Sequence, residues 1–160
     1  MSLTARAFQK LSTIALLLAL ALPTLARGKT FRADFNGDYA TAGATISNLQ
    51  GTILPCDPLT LKVEQSRVHL RLVLSELVCK NVKAEAYDVR FDLGGDRVRL
   101  EGLLVGDFRA DVFRVDFPIS SNIILTILLK MEADGSVRYL ERSSSRNAAQ
   151  VVDAPFKKVK

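Results

Sequence analysis

From Phe31 onward, apolar and polar side chains alternate at a period of two, and turn residues interrupt the alternation about every 8 to 12 positions. Such a pattern predicts antiparallel strands with one face on a core and the other in water. Phe31, Ala33 and Phe35 alternate with Arg32 and Asp34 before Asn36-Gly37-Asp38 turns the chain. A softer segment, Tyr39 to Leu54, is built from small residues and threonine. Leu59, Leu61 and Val63 then alternate with Thr60, Lys62 and Glu64. After the short turn Gln65-Ser66, Val68, Leu70, Leu72 and Leu74 share a face opposite Arg67, His69, Arg71 and Val73. Gly94-Gly95-Asp96 is the clearest hairpin signal, with Tyr87, Val89, Phe91 and Leu93 before it and Val98 and Leu100 after it.

Two places break phase. Phe108, Ala110 and Val112 face one way, then Phe113, Val115 and Phe117 the other. A bulge near Val112-Phe113 would keep both sets on the core, because one extra residue flips the alternation. Ala84-Glu85-Ala86-Tyr87 shows the same kind of flip. Ile123 to Leu129 is apolar on both faces; it suits a central strand or a short buried helix. Its β-branched residues and the Asp134-Gly135 turn before Val137-Arg138-Tyr139 favour the strand. From Ser143 the chain turns polar and basic. Residues 143–160 are therefore expected to form a partly disordered tail, or a last edge strand around Gln150 to Val152. The prediction is an all-β antiparallel domain of about eight to ten short strands, a barrel or a sandwich, over residues 27–142.

Ahead of that domain lies a different pattern. Arg6 and Lys10 precede the apolar run Leu11 to Leu22, and Pro23-Thr24-Leu25-Ala26 places Thr24 and Ala26 at positions −3 and −1 of a cleavage site. This is the layout of a secretory signal peptide, residues 1–26, and the run is short of the roughly 20 apolar residues that a membrane span needs. Cleavage after Gly28 fits almost as well. With no Cys directly following the cleavage region, a lipid anchor is not expected. The mature chain should be soluble, without a transmembrane segment, and periplasmic or secreted.

Composition narrows the partners. The net charge of +5 includes Arg6 and Lys10, which leaves 20 basic and 17 acidic residues interspersed along the mature chain. A nucleic-acid binder would gather its basic residues on one face or arm, so none is expected as a partner. Cys56 and Cys79 are the only cysteines, and an even count in an exported chain points to a disulfide. Two buried thiols or a reactive thiol are the alternatives. In a tight hairpin Cys56 would lie opposite about residue 75, roughly 13 Å short of Cys79. However, Pro55 and Pro58 exclude regular strand around Cys56, so a bridge would pin that loop to the end of the long strand.

Little here supports catalysis. There is one histidine and no tryptophan, and neither G-x-S-x-G nor H-E-x-x-H occurs. Two cysteines and His69 do not form a metal set, and no cofactor is implied. Asp34-Phe35-Asn36-Gly37-Asp38 fails as a calcium loop because Thr45 stands where a bidentate Glu is needed. Two basic groups stand out. Arg67, His69 and Arg71 share one strand face, and Arg97 and Arg99 another; if close, they would offer donors to phosphate or carboxylate. The plainer reading pairs them with Glu64, Asp92 and Glu101 across a solvated sheet.

Strands apolar on both faces must be covered twice, by a second layer, a ligand or a partner. In outline the chain resembles lipocalin-like carriers, bacterial lysozyme inhibitors and envelope lipid-transport modules. These are unrelated groups whose diagnostic motifs are absent, so no residue role carries over. The expectation is a non-catalytic carrier or envelope factor that binds a lipid or other apolar or amphipathic molecule, with Arg67, His69 and Arg71 as head-group contacts. The alternative is a protein-binding module, such as an inhibitor of a secreted hydrolase or an adaptor of an envelope complex, using an exposed loop around Pro55-Cys56-Asp57-Pro58.

Overall fold

The computed structural model describes residues 32–145 and 148–159, and every regular element in them is a strand. The expected signal peptide lies outside the described residues, as does Phe31. In chain order the strands are β1 (Gly37–Ala40), β2 (Ala44–Asn48), β3 (Ile53–Cys56), β4 (Thr60–Gln65), β5 (His69–Leu74), β6 (Leu77–Cys79) and β7 (Val82–Ala84). They continue as β8 (Tyr87–Gly94), β9 (Arg97–Leu100), β10 (Leu103–Arg109), β11 (Val112–Ser120), β12 (Ile123–Met131), β13 (Val137–Ser144) and β14 (Ala149–Lys158). Ten of them pair antiparallel in the order β1-β4-β5-β8-β9-β10-β11-β12-β13-β14, and β14 returns to β1. The all-β expectation resolves to a closed barrel rather than a sandwich.

One end of the barrel is dry. Inward positions of successive strands place Leu61, Val63, Leu70, Leu72, Phe91, Val98, Phe108, Phe113, Leu129, Val137 and Phe156 out of contact with water. Phe91, Phe108 and Phe113 meet edge to face, with ring centroids 5.3 Å and 5.8 Å apart. The segment before β1 closes this lower end. Phe35, fully buried, lies 5.6 Å from Phe108, and the Ala33 amide donates to the Ala110 carbonyl at 2.7 Å. The Gln65 side chain clips the plug from both directions: its oxygen accepts from the Phe35 amide and its nitrogen donates to the Ala33 carbonyl. Ala33 and Phe35 thus bury their side chains as the alternation requires, but as a plug and not as a strand.

The other end is wider. Two hairpins leave the wall there: β2–β3 between β1 and β4, and β6–β7 between β5 and β8. A side-chain turn starts the first excursion, since Thr41 Oγ1 donates to the Gly43 carbonyl and accepts from the Gly43 amide. Cys56 and Cys79 are bridged, and the Asp57 amide donates to the Val78 carbonyl at 2.8 Å, so the two hairpins are tied to each other. In the chain-entropy model a bridge across 23 positions is worth about 3 kcal/mol. Pro55 and Cys56 do not form the expected loop: they end β3 and pair with Thr45 and Ala44 on β2, so the bridge leaves from a short edge strand, where proline leaves no gap in a ladder. Its other partner sits in a separate hairpin rather than at the end of β5.

Three other expectations change. The phase break at Val112-Phe113 is a two-residue hairpin turn, Ala110-Asp111, and not a bulge: Arg109 pairs with Val112, and Ala110 adopts φ +47°. Alanine carries no turn signature, so the sequence hides this turn. The flip at Ala84–Tyr87 marks the passage from β7 to β8. The stretch expected as a polar tail contains β14, whose Val152, Ala154 and Phe156 are buried between β13 and the β1/β2 side of the barrel. Their period-two spacing is present in the sequence, but small Ala154 and the surrounding lysines and Pro155 conceal it.

The β10–β11 hairpin gives two opposed predictions. A Cβ at Gly106 would stand 2.0 Å from the Arg114 carbonyl oxygen, so Gly106→Ala should part the strands and cost about 3 kcal/mol or more. Ala110→Gly relieves a left-handed alanine and should stabilise by about 0.5–1 kcal/mol. Urea unfolding of both variants measures each effect.

Candidate functional site

The basic residues singled out from the sequence lie on the outside of the barrel. His69 and Arg71 project outward from β5, Arg97 and Arg99 from β9, and β8 runs between them carrying Asp88 and Asp92. Arg71 donates from Nε and Nη2 to the two oxygens of Asp88 at 2.8 Å and 2.6 Å, and from Nη1 to Glu64 at 3.0 Å. Its bond to Asp88 holds that carboxyl below the usual range; Glu64 is held down first by Lys62 and then by Arg71. His69 Nδ1 meets Asp92 at 3.1 Å, Arg99 donates to the Gly102 carbonyl, and Arg67 lies in the β4–β5 turn. Asp92 is the cross-strand partner of both His69 and Arg99. The structure therefore gathers His69, Arg71 and Arg99 on one outer face, together with carboxylates. An open groove of about 410 Å³ borders His69, Arg71, Arg90 and Glu64 on that wall. Arg67, His69 and Arg97 belong to the plugged end.

The wide end has a different character. Its inward side chains, Tyr87, Val89, Leu100, Phe117 and Leu125, are half-buried, unlike those below them. Around it stand Leu49, Ile53, Leu103, Leu104, Ile119 and Ile124, each between 52% and 69% exposed. Only Val68 and Val159 are comparably exposed large aliphatics elsewhere among the described residues, so the apolar exposure concentrates at this mouth.

Beneath the mouth lies a polar crossbar that sequence reasoning missed. In a ring of ten strands β8 and β13 are five places apart, so a contact between them spans the bore. Tyr87 from β8 and Tyr139 from β13 make that contact, hydroxyl to hydroxyl, at 2.6 Å. Tyr139 in turn donates its hydroxyl proton to the Glu141 carboxylate. Since that proton is committed, the Tyr87 hydroxyl must be the donor to Tyr139. Glu141 points inward because it shares its strand parity with Val137 and Tyr139, and its cross-strand partners are the buried Ile127 and Val152. Burial pushes the Glu141 carboxyl above its ordinary range, and the Tyr139 hydroxyl offsets this only in part. Burial likewise raises both tyrosines. No lysine, arginine or histidine among the described residues pairs with Glu141. The signal available in sequence was parity: a glutamate on the inward register of Val137 and Tyr139, recognisable once β13 is placed.

No cluster of His, Cys, Asp and Glu among the described residues could hold a metal ion, and no helix among them is long and apolar enough to cross a membrane. The disulfide is of a kind that oxidising compartments maintain. No family model matches the chain, and a search of curated proteins also finds no match.

Glu141 gives a pH prediction. A carboxyl whose folded pKa lies above its unfolded value binds its proton more tightly when folded. It therefore penalises folding above that raised pKa, and the penalty disappears below the ordinary value of 4.5. Glu141→Gln keeps an acceptor for Tyr139 and removes the charge. The variant should gain on the wild type as pH rises from about 4.5 through the raised value. Urea midpoints across that range check it; a gap that does not change with pH would place the carboxylate in water, and one that narrows would mean that the fold stabilises its charge.

Proposed function

We propose that the protein is an exported, non-catalytic carrier that takes an apolar or amphipathic molecule into the wide end of its barrel. The observation that carries this reading is the contrast between the two ends. Below, a plug and closely packed aromatics fill the bore. Above, the wall is widened by two tied hairpins, the inward side chains are half-buried and the rim is apolar. A ligand entering there would cover the exposed leucines and isoleucines and meet the crossbar as its floor. Of the arginines named from the sequence, Arg71 is engaged with Asp88 and Glu64 and Arg99 with the Gly102 carbonyl on the outer wall, while Arg67 and Arg97 lie at the plugged end; none has a part in the proposal.

One observation favours a second reading, the protein-binding module. The rim residues Leu49 and Ile53 flank the tip of β2–β3, a hairpin anchored by the disulfide, and a partner protein could cover them equally well.

Native mass spectrometry of the mature protein from its own host, followed by solvent extraction, separates the two. A discrete bound mass released into solvent as an apolar molecule is expected. A bare chain with one disulfide would move the assignment to the protein-binding module. Arg71→Glu and Arg99→Glu should retain the bound mass, and loss of it in either variant would return the head-group role to the outer wall.

A further inference from the structure

Glu141 is a carboxylate in an awkward place. An ionised carboxylate out of water is costly unless it is paired and hydrogen-bonded, and here it has the hydrogen bond without the pair. The crossbar is nevertheless organised around a negative charge. Tyr87 donates to Tyr139 and Tyr139 donates to Glu141, so both hydroxyl dipoles point the same way and end on the carboxylate. Only burial opposes ionisation. The second carboxyl oxygen has no hydrogen-bond partner among the described residues. No sealed side-chain oxygen among the described residues lacks one, so that oxygen is not sealed from solvent. A donor arriving from the mouth can reach it. Among the described residues, the titratable groups that meet it in the bore are the two tyrosines; its neighbours on β12 and β14, Ile127 and Val152, are apolar.

We infer that the Glu141 carboxylate, held by the Tyr139 and Tyr87 hydroxyls beneath the wide mouth, is the binding site for the ammonium head of an amphiphilic amine. The inference rests on the carrier reading and gives it a substrate class. The cation supplies the missing half of the ion pair, and the alkyl body lies against Leu100, Phe117 and Leu125 up to the exposed rim. An anionic head would meet an uncompensated carboxylate, and a neutral head would leave the pair unmade. The site therefore selects by charge and not by chain length. A lipid bearing an amine head and a free long-chain amine share this chemistry.

Titration calorimetry of the mature protein and of Glu141→Gln with decylamine, 1-decanol and decanoate tests the site. Wild type should bind decylammonium at least about tenfold more tightly than decanol, and decanoate least. Glu141→Gln should bring decylammonium down to the level of decanol and leave decanol unchanged. Equal binding of all three probes, or a decylammonium preference that survives Glu141→Gln, would overturn the inference and leave the carrier reading standing. Binding of none of the probes would overturn both. If the variant fails to fold, the proton count in wild type decides. In mildly acidic buffer decylammonium should release protons as the carboxyl ionises, and zero release overturns the site. A dioctanoyl phosphatidylethanolamine arm identifies the source: binding there assigns the head to a lipid, and binding of decylamine alone assigns it to a free amphiphilic base.

Discussion

The fold depends on how β14 divides its free edge. Along one side it pairs continuously with β13, from Ala149 to Phe156. Along the other, Gln150 to Asp153 pair with β2, and only Lys157 and Lys158 pair with β1. Those last two register positions close the ring, and closure is what removes exposed edges from a sheet. The junction is reinforced from outside the ladder. Lys158 Nζ donates to the Asn36 carbonyl at 2.7 Å, and the Val159 amide donates to the Asp38 carbonyl at 2.8 Å. Between the two pairings Ala154, Pro155 and Phe156 have no strand partner on that side among the described residues. That interval is where a central strand can accept proline, because a missing donor leaves no gap in a ladder that is already interrupted.

The same interval makes the two ends unequal. At Thr41–Gly43 the chain leaves β1 and starts β2, so the seam is narrow below and splays above. β6–β7 departs from the same end, and the disulfide joins the two departures into one flap. A ring of ten strands is already broader than the eight-stranded barrels that side chains alone can fill. The lower half meets this with large rings and with a plug taken from the chain ahead of β1. The upper half, further widened, leaves its inward residues Tyr87, Val89, Leu100, Phe117 and Leu125 half-buried. Its asymmetry thus follows from strand pairing, before any question of ligand arises.

How much of this was legible in the sequence varied with the kind of signal. Period-two alternation located most strands of the wall, because one face of each is buried. Gly94-Gly95-Asp96 marked its turn, because glycine alone takes φ +61° there without strain. Ala110-Asp111 was hidden for the converse reason: an alanine held at φ +47° is a tertiary imposition, with no local cause to read. β14 was hidden by its polar outward residues, which say nothing about the inward ones once Ala154 weakens the alternation. The disulfide pairing followed from counting, but its geometry required the β6–β7 hairpin, which spans too few residues to show a period. The basic stripe was legible as a set of residues but not as a site, since its carboxylate partners come from β8 and β4. Tyr87, Tyr139 and Glu141 lie on strands at opposite sides of the ring, and no sequence spacing encodes that relation.

Inner and outer charges obey different rules in such a barrel. On the outer wall Arg71, Asp88 and Glu64, or His69 and Asp92, are neighbours across adjacent strands and exposed to water. Their removal changes little beyond the pair, because solvent screens what remains. Glu141 has no such recourse. Its strand neighbours are apolar, the tyrosines can donate hydrogen bonds but cannot carry positive charge, and the surrounding wall excludes most water. Two tyrosines and a glutamate aligned across the bore therefore serve poorly as a core element, where leucine or phenylalanine in their places would pack without desolvating a carboxylate. They are arranged to receive a charge from outside, and the open end of the barrel is the direction from which it can come.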